Sequence, residues 1–179
     1  IELKKRLSDK TGLVSVIYGN NEIGTIEPIK ELAEIAHENN ALFHTDAVQA
    51  VGHVPIDVHS LNVDLLSSSA HKFNGPKGIG FLYIKKGVNI HPYIDGGSQE
   101  HGMRAGTENI ASIVGMATAL KKNTARLTEE WAHLKDLEDI FMCTLQESDL
   151  DFIRNGSDNH LPGNVNVSFR GVDGEMLLH

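Results

Sequence analysis

The chain has 179 residues, of which 40% are hydrophobic and 22% charged, the proportions of an ordinary globular protein long enough to bury a core. With 24 acidic against 16 basic residues its formal net charge is −8, which argues against a nucleic-acid partner, since that would select a basic face. No apolar run approaches membrane-spanning length and no signal-peptide pattern opens the chain, so no membrane association and a cytoplasmic location are expected.

Ile1 to Asp9 carries Leu3 and Leu7 on one face and predicts part of an amphipathic helix. Leu13 to Tyr18 predicts a strand, broken by Gly19-Asn-Asn-Glu-Ile-Gly24. Pro28 opens a predicted helix over Ile29 to Glu38, with Ile29, Leu32, Ala33, Ile35 and Ala36 as its apolar face and Asn39-Asn40 as its stop. Ala41 to Thr45 is the second predicted strand, Val63 to Ser68 the third and Gly78 to Ile84 the fourth. Strands alternating with helical patterns indicate an α/β fold with a largely parallel sheet. Val88 to Gly106 reads as a long glycine-rich loop. From Glu108 to Gln146 an apolar stripe through Ile113, Leu120, Leu127, Trp131, Leu134, Leu137 and Phe141 advances by helical steps and predicts a long helix with a buried face. Phe152 and Val165 to Phe169 predict short strands around a turn-rich segment, and Gly171 to His179 begins another element.

Asn21, Asp46 and Lys72 each follow the C-terminal end of a predicted strand, the edge where ligands gather in open parallel sheets. Lys72, in Ser69-Ala-His-Lys72, is either a solvated surface side chain or a lysine that holds an aldehyde as a Schiff base. Asp46, in His44-Thr-Asp-Ala-Val-Gln49, is either a turn-capping carboxylate or the partner of a protonated ring nitrogen. Gln49 faces the same ligand if that segment turns helically. Such a lysine with such a carboxylate is what pyridoxal 5'-phosphate (PLP) requires of a protein. Ser69 and His71 either bond each other's turn locally or offer donors to a phosphate. Lys77, inside Gly75-Pro-Lys-Gly78, reads as solvent-facing. Arg104 and Thr107 sit on a flexible backbone that is either a surface loop or an anion site. The 10 histidines are scattered without metal-ligand spacing, so no metal site is expected. Cys143, the only cysteine, excludes an internal disulfide and is expected to pack as a small apolar residue within the long helix.

These stretches, with Asn20-Asn-Glu-Ile-Gly-Thr25, Gly75-Pro-Lys-Gly-Ile-Gly80 and Gly96-Gly-Ser-Gln-Glu-His-Gly-Met-Arg-Ala-Gly-Thr-Glu-Asn109, resemble in order and spacing the cysteine desulfurases of the NifS/IscS-like group, within the class V aminotransferase superfamily. The resemblance covers nearly the whole chain. It implies a fold-type I PLP-dependent transferase with a mostly parallel sheet and flanking helices. Residues 1–125 would form part of the PLP-binding large domain and residues 126–179 part of a small C-terminal α/β domain, with a helix over 108–146 bridging them.

The same resemblance implies a homodimer that acts on L-cysteine, yielding L-alanine and an enzyme persulfide. The sulfur would pass to an acceptor protein such as an iron–sulfur scaffold, or into tRNA thiolation. Lys72 would hold the cofactor and act as base, Asp46 would pair with the ring nitrogen and Gln49 with the ring hydroxyl oxygen. Asn21 would lie beside cofactor and substrate, Ser69 and His71 would hold the phosphate, and Thr107 would reach the phosphate bound by the other subunit. Members of the group extend further at both ends. The resemblance thus implies a central fragment: a ring-stacking histidine would precede Ile1, the catalytic cysteine loop and a substrate-binding arginine would follow His179, and the 179 residues alone would not turn over cysteine. Two other readings stay open: a related PLP enzyme, either an aminotransferase or a selenocysteine lyase, and a non-catalytic fragment that dimerises or binds a partner.

Overall fold

Short apolar runs and one strongly amphipathic helix build the first half of the molecule, in a computed structural model that describes residues 2–177. Strands β1 (Leu13–Ile17), β2 (Leu42–Asp46), β3 (Leu65–Ser69) and β4 (Gly80–Ile84) form one sheet in that order. The β1–β2 and β2–β3 pairings are parallel and β3–β4 is antiparallel. The reversal follows from the connection. Residues 70–79 supply only a 3-10 turn (Ala70–Phe73) and a loop, and a crossover to a parallel strand takes about a dozen residues or more.

Helix α1 (Ile29–Glu38) connects β1 to β2. Pro28 stands at its N-cap, where a missing N–H leaves no bond unmade, and Asn39 with the left-handed Asn40 (φ 57°) closes it. Its predicted apolar face is buried residue for residue. Ile29, Leu32, Ala33 and Ala36 share one core with Val14, Phe43, Val63, Leu66 and Phe73. Because side chains alternate along a strand, the opposite sheet face carries Ser15, His44, Asp46 and Ser67, which are cross-strand neighbours.

Asp64, buried just before β3, ties this sheet to α1 and β4. Its Oδ2 accepts from the Phe43 N–H (2.8 Å) and pairs with His37 Nε2 (2.7 Å), while Lys85 Nζ lies 3.5 Å from Oδ1. Burial pushes its pKa up, but the hydrogen bonds from His37 and the Phe43 N–H, with the charges of His37 and Lys85, hold it below the ordinary value. A carboxyl depressed in the folded state binds its proton first in the unfolded chain. Its stabilisation is therefore fully present above the unfolded pKa and lost as pH falls through the folded one. Asp64→Asn is expected to flatten the acid limb of the stability–pH curve, followed by urea denaturation from neutral pH downward. An acid limb identical to that of the parent protein would remove Asp64 from this role.

The remaining elements depart more from expectation. Helix α2 (Val58–Leu61) is a single turn capped by Asp57, whose side chain accepts from the His59 and Ser60 N–H groups; four residues are too few to show a period. The helix expected over Ile1 to Asp9 shrinks to a 3-10 turn, Glu2–Lys5, although Leu3 and Leu7 do pack against the core. Ile1 lies outside the described residues. Helix α3 (Ile110–Gln146) runs for 37 residues and starts two positions later than expected, after its N-cap Asn109, whose side chain accepts from the Ser112 N–H. Its apolar stripe is not a buried face: Trp131, Leu137 and Phe141 are 39%, 49% and 45% exposed. Periodicity specifies a stripe, but burial depends on what packs against it. In this chain Met116, Ala119 and Leu120 in the first half of α3 lean on the core. Cys143, expected to pack, is exposed, for it lies near the far end of that helix.

Strands β5 (Phe152–Asn155) and β6 (Asn166–Phe169) form a separate antiparallel pair, with the Phe152 and Phe169 rings 6.3 Å apart. Helix α4 (Gly174–Leu177) is the described part of the element expected from Gly171; Leu178 and His179 lie outside the described residues. The segment between β5 and β6, together with Asn166 at the start of β6, clasps the loop after β1. Ile26 N–H donates to Asn159 C=O (3.0 Å), Leu161 N–H to Gly24 C=O (2.8 Å) and Asn166 Nδ2 to Glu22 C=O (3.2 Å). No described helix is long and apolar enough to cross a membrane.

Candidate functional site

Strands β1, β2 and β3 end at one edge of the sheet. Ile17 pairs with Asp46 and Asp46 with Ser67, so the loops beyond these strands leave side by side. Asp46, half-buried, is the last residue of β2. Its carbonyl accepts from the Tyr18 N–H (2.8 Å), and its Oδ1 accepts from the Val48 N–H (3.0 Å). That second bond is the turn-capping role; among the described residues Oδ2 has no hydrogen-bond partner. From Ala47 the chain does turn helically, with Val51 N–H donating to Ala47 C=O at 2.9 Å, and half-buried Gln49 lies in that turn.

Two residues before Asp46, on the same face, His44 is held between strands. Its Nδ1 is 2.7 Å from Ser15 Oγ and its Nε2 is 3.2 Å from Ser67 Oγ. Burial pushes the pKa of this imidazole down, against the opposing pull of the Asp46 charge. The downward push favours the neutral ring, the form that can both donate to and accept from the two serine hydroxyls.

Lys72 lies on the 3-10 turn after β3, exposed, and its Nζ makes no hydrogen bond or ion pair among the described residues. The turn beneath it is fixed. Ala70 and Phe73 are fully buried. Ala70 N–H donates to Ile79 C=O (3.0 Å) and Gly75 N–H to Ala70 C=O (2.8 Å). His53 Nε2 donates to Lys72 C=O (2.7 Å) and Asn123 Nδ2 to Phe73 C=O (3.1 Å). His53 and Asn123 are absent from the sequence-based expectations; they lie 19 and 50 residues from their partners, in no motif. Ser69 Oγ and His71 Nδ1 bond each other at 2.8 Å, the local alternative for this pair, and both stand beside Lys72 at the strand edge.

Asn21 is exposed on the loop after β1. Asn20 shapes that loop, its Oδ1 accepting from the Glu22 and Ile23 N–H groups (2.8 and 3.0 Å). Asn164 Nδ2 reaches the Asn21 carbonyl at 3.5 Å. Thr107 is exposed, just ahead of α3. Arg104 Nη1 folds back onto Ala105 C=O (2.7 Å) and Gly106 N–H donates to Gln99 Oε1 (3.1 Å), so this loop is tied to itself. Among the described residues no hydrogen bond joins Arg104 or Thr107 to the strand edge, and no group of His, Cys, Asp and Glu can hold a metal ion. The edge thus gathers an amine, a carboxylate, an imidazole, a hydroxyl and two carboxamides: groups able to bind an aldehyde, a ring nitrogen and an anion.

A profile described as aminotransferase class-V matches residues 1–179. The chain belongs to the class V aminotransferase family. It is 53% identical over 178 residues to a cysteine desulfurase IscS of Dictyoglomus turgidum, covering 99% of this chain and 45% of that protein. It is 51% identical over 177 residues to a cysteine desulfurase IscS of Methanosarcina thermophila, covering 99% and 44%. Among solved structures it superposes on a NifS-like protein with a TM-score of 0.92 at 40% identity, covering 98% of this chain and 48% of the other. On DndA from Streptomyces lividans the TM-score is 0.85 at 33% identity, covering 98% and 51%. The chain spans about half the length of the curated relatives it matches. As a class V member it has the fold-type I architecture expected, a mostly parallel sheet with flanking helices.

Proposed function

We propose that this chain carries the cofactor edge of a PLP-dependent cysteine desulfurase. The observation that carries the reading is the strand register, which sets Asp46 beside the ends of β1 and β3, where Asn21 and the Ser69–Lys72 turn leave the sheet. The donor set fits PLP. Lys72 is an exposed amine without a partner among the described residues, and Asp46 is a half-buried carboxylate with one oxygen uncommitted. Ser69 and His71 offer a hydroxyl and an imidazole at a strand end. PLP bound there supplies an electron sink for charge developing at the substrate α-carbon.

The chain's own residues do the rest. Lys72 Nζ would hold the cofactor aldehyde until the amino group of L-cysteine displaces it, and the freed amine would then take the proton from the α-carbon. Asp46 keeps a proton on the ring nitrogen, Gln49 bonds the ring hydroxyl oxygen, and Ser69 and His71 hold the phosphate. Asn21 lies against cofactor and substrate, and Thr107 serves the phosphate of a second subunit in a homodimer. In the whole enzyme the substrate sulfur would leave to a cysteine thiolate other than Cys143, forming a persulfide, and L-alanine would depart. The persulfide then passes to an acceptor protein such as an iron–sulfur scaffold, in the cytoplasm. The separate β5–β6 pair supports dividing the chain at about residue 125 into part of a large cofactor domain and part of a small one.

Borohydride reduction of the PLP-incubated protein, with proteolysis and mass spectrometry of the product, tests this. The pyridoxyl label is expected on Lys72 and not on Lys77 or Lys85. Label on another lysine, or none, would sink the assignment.

A further inference from the structure

We infer that His53 and Asn123 are positioning residues for Lys72, clamping the main chain of its turn by the carbonyls of Lys72 and Phe73. The inference rests on the reading of Lys72 as the cofactor lysine. A four-residue 3-10 turn has poor internal hydrogen bonding, and its last carbonyls have no partner within the turn. In this turn Asn74 and Gly75 N–H groups both serve the Ala70 carbonyl, which leaves those of Lys72 and Phe73 to outside donors. His53 Nε2 and Asn123 Nδ2 supply them at 2.7 and 3.1 Å.

The donors are themselves held. Trp131 Nε1 donates to the His53 carbonyl, so α3 fixes His53 as well as Asn123. Gly52 (φ 81°) packs so tightly on the turn that a Cβ there would lie 2.7 Å from Phe73 Cβ. Segments distant in sequence thus converge on the backbone of Lys72, while its side chain stays exposed and unpartnered among the described residues. A lysine that both holds an aldehyde and moves a proton needs a free amine on a fixed Cα, because misplacement of the base by an ångström forfeits much of the rate.

Amide hydrogen exchange of the cofactor-free protein reads the clamp directly. In His53→Ala and in Asn123→Asp, exchange at Asn74 and Gly75 is expected to quicken by roughly tenfold, the effect of one ordinary hydrogen bond, with the Tyr18 amide unchanged. The rate at which added PLP becomes borohydride-trappable on Lys72 should fall in the same variants. His53→Gln, which keeps a side-chain N–H donor, should restore both. Should His53→Ala fail to fold, Asn123→Asp, a near-isosteric change at a half-buried position of α3, carries the test alone. Unchanged exchange at Asn74 and Gly75 in the folded variants would overturn the inference, as would a slowed trapping rate that His53→Gln leaves slow. If the parent protein itself traps no PLP, the desulfurase reading fails, and the exchange result still decides whether the clamp exists.

Discussion

Glu138→Ala is expected to destabilise the folded chain by about 3 kcal/mol, the low end of the cost of removing one partner from a buried ion pair. Glu138 is the buried residue of α3, its side chain only 2% exposed. Its Oε1 accepts from Arg154 Nη2 at 2.7 Å and its Oε2 lies 2.9 Å from His160 Nε2. His160 Nδ1 donates to Asp158 C=O at 2.8 Å. Burial pushes the Glu138 pKa up, but the hydrogen bonds and charges of His160 and Arg154 outweigh it and hold the carboxyl below its ordinary value. Removing the carboxylate leaves a guanidinium and an imidazole facing each other at 2.7 Å. Arg154 is 30% exposed and regains some water, which is why the low end applies. Glu138→Gln keeps an acceptor for Arg154 and should lose less. Urea denaturation of the two variants gives the difference. Equal, small losses in both would mean that the charge contributes little and that packing alone holds the site.

The cluster matters beyond stability because of what it anchors. His160 forms an isolated bridge to Thr25, and its neighbours Asn159 and Leu161 hold Ile26 and Gly24. Glu138 therefore secures, through His160, the loop that presents Asn21. Sequence reading finds Asn21 from its place after a strand, but not this support. Glu138, Arg154 and His160 belong to no local pattern, and the charge on Glu138 marks it as a solvent-facing residue of a polar helix. The same holds for His53 and Asn123. What is legible is whatever depends on near neighbours: β1 to β4, the buried face of α1, its Asn39-Asn40 stop, and the placing of Asp46 and Lys72 just past apolar runs. Long-range facts are not legible. The stripe on α3 reads as core, yet Trp131, Leu137 and Phe141 are well exposed, because a period reports a face and not its cover. Cys143 fails for that reason too. The bond between Ser69 and His71 is a subtler case, since sequence allows both the local contact and the phosphate role, and the structure supplies only the first.

Asp46→Ala should slow PLP-dependent α-proton exchange by about a thousandfold while the borohydride label stays on Lys72. Exchange of the L-alanine α-proton in deuterated water is the right measure, since it needs the ring, its proton and a base but no sulfur-accepting thiol. A carboxylate in contact with a ring cation is worth about 4 kcal/mol at an effective dielectric constant of 20, which corresponds to roughly a thousandfold in rate. Asp46 also has a structural task, because its Oδ1 caps the turn by accepting from the Val48 N–H. Losing such a cap costs about 1 kcal/mol, too little to account for the expected drop. Asp46→Asn separates the two, since an amide oxygen still caps the turn but carries no charge to keep a proton on the ring. If the charge is what acts, Asp46→Asn should melt like the parent protein and exchange almost as slowly as Asp46→Ala. If Asp46→Asn exchanges like the parent protein, Asp46 is a cap and no more, and another group must be sought for the ring nitrogen.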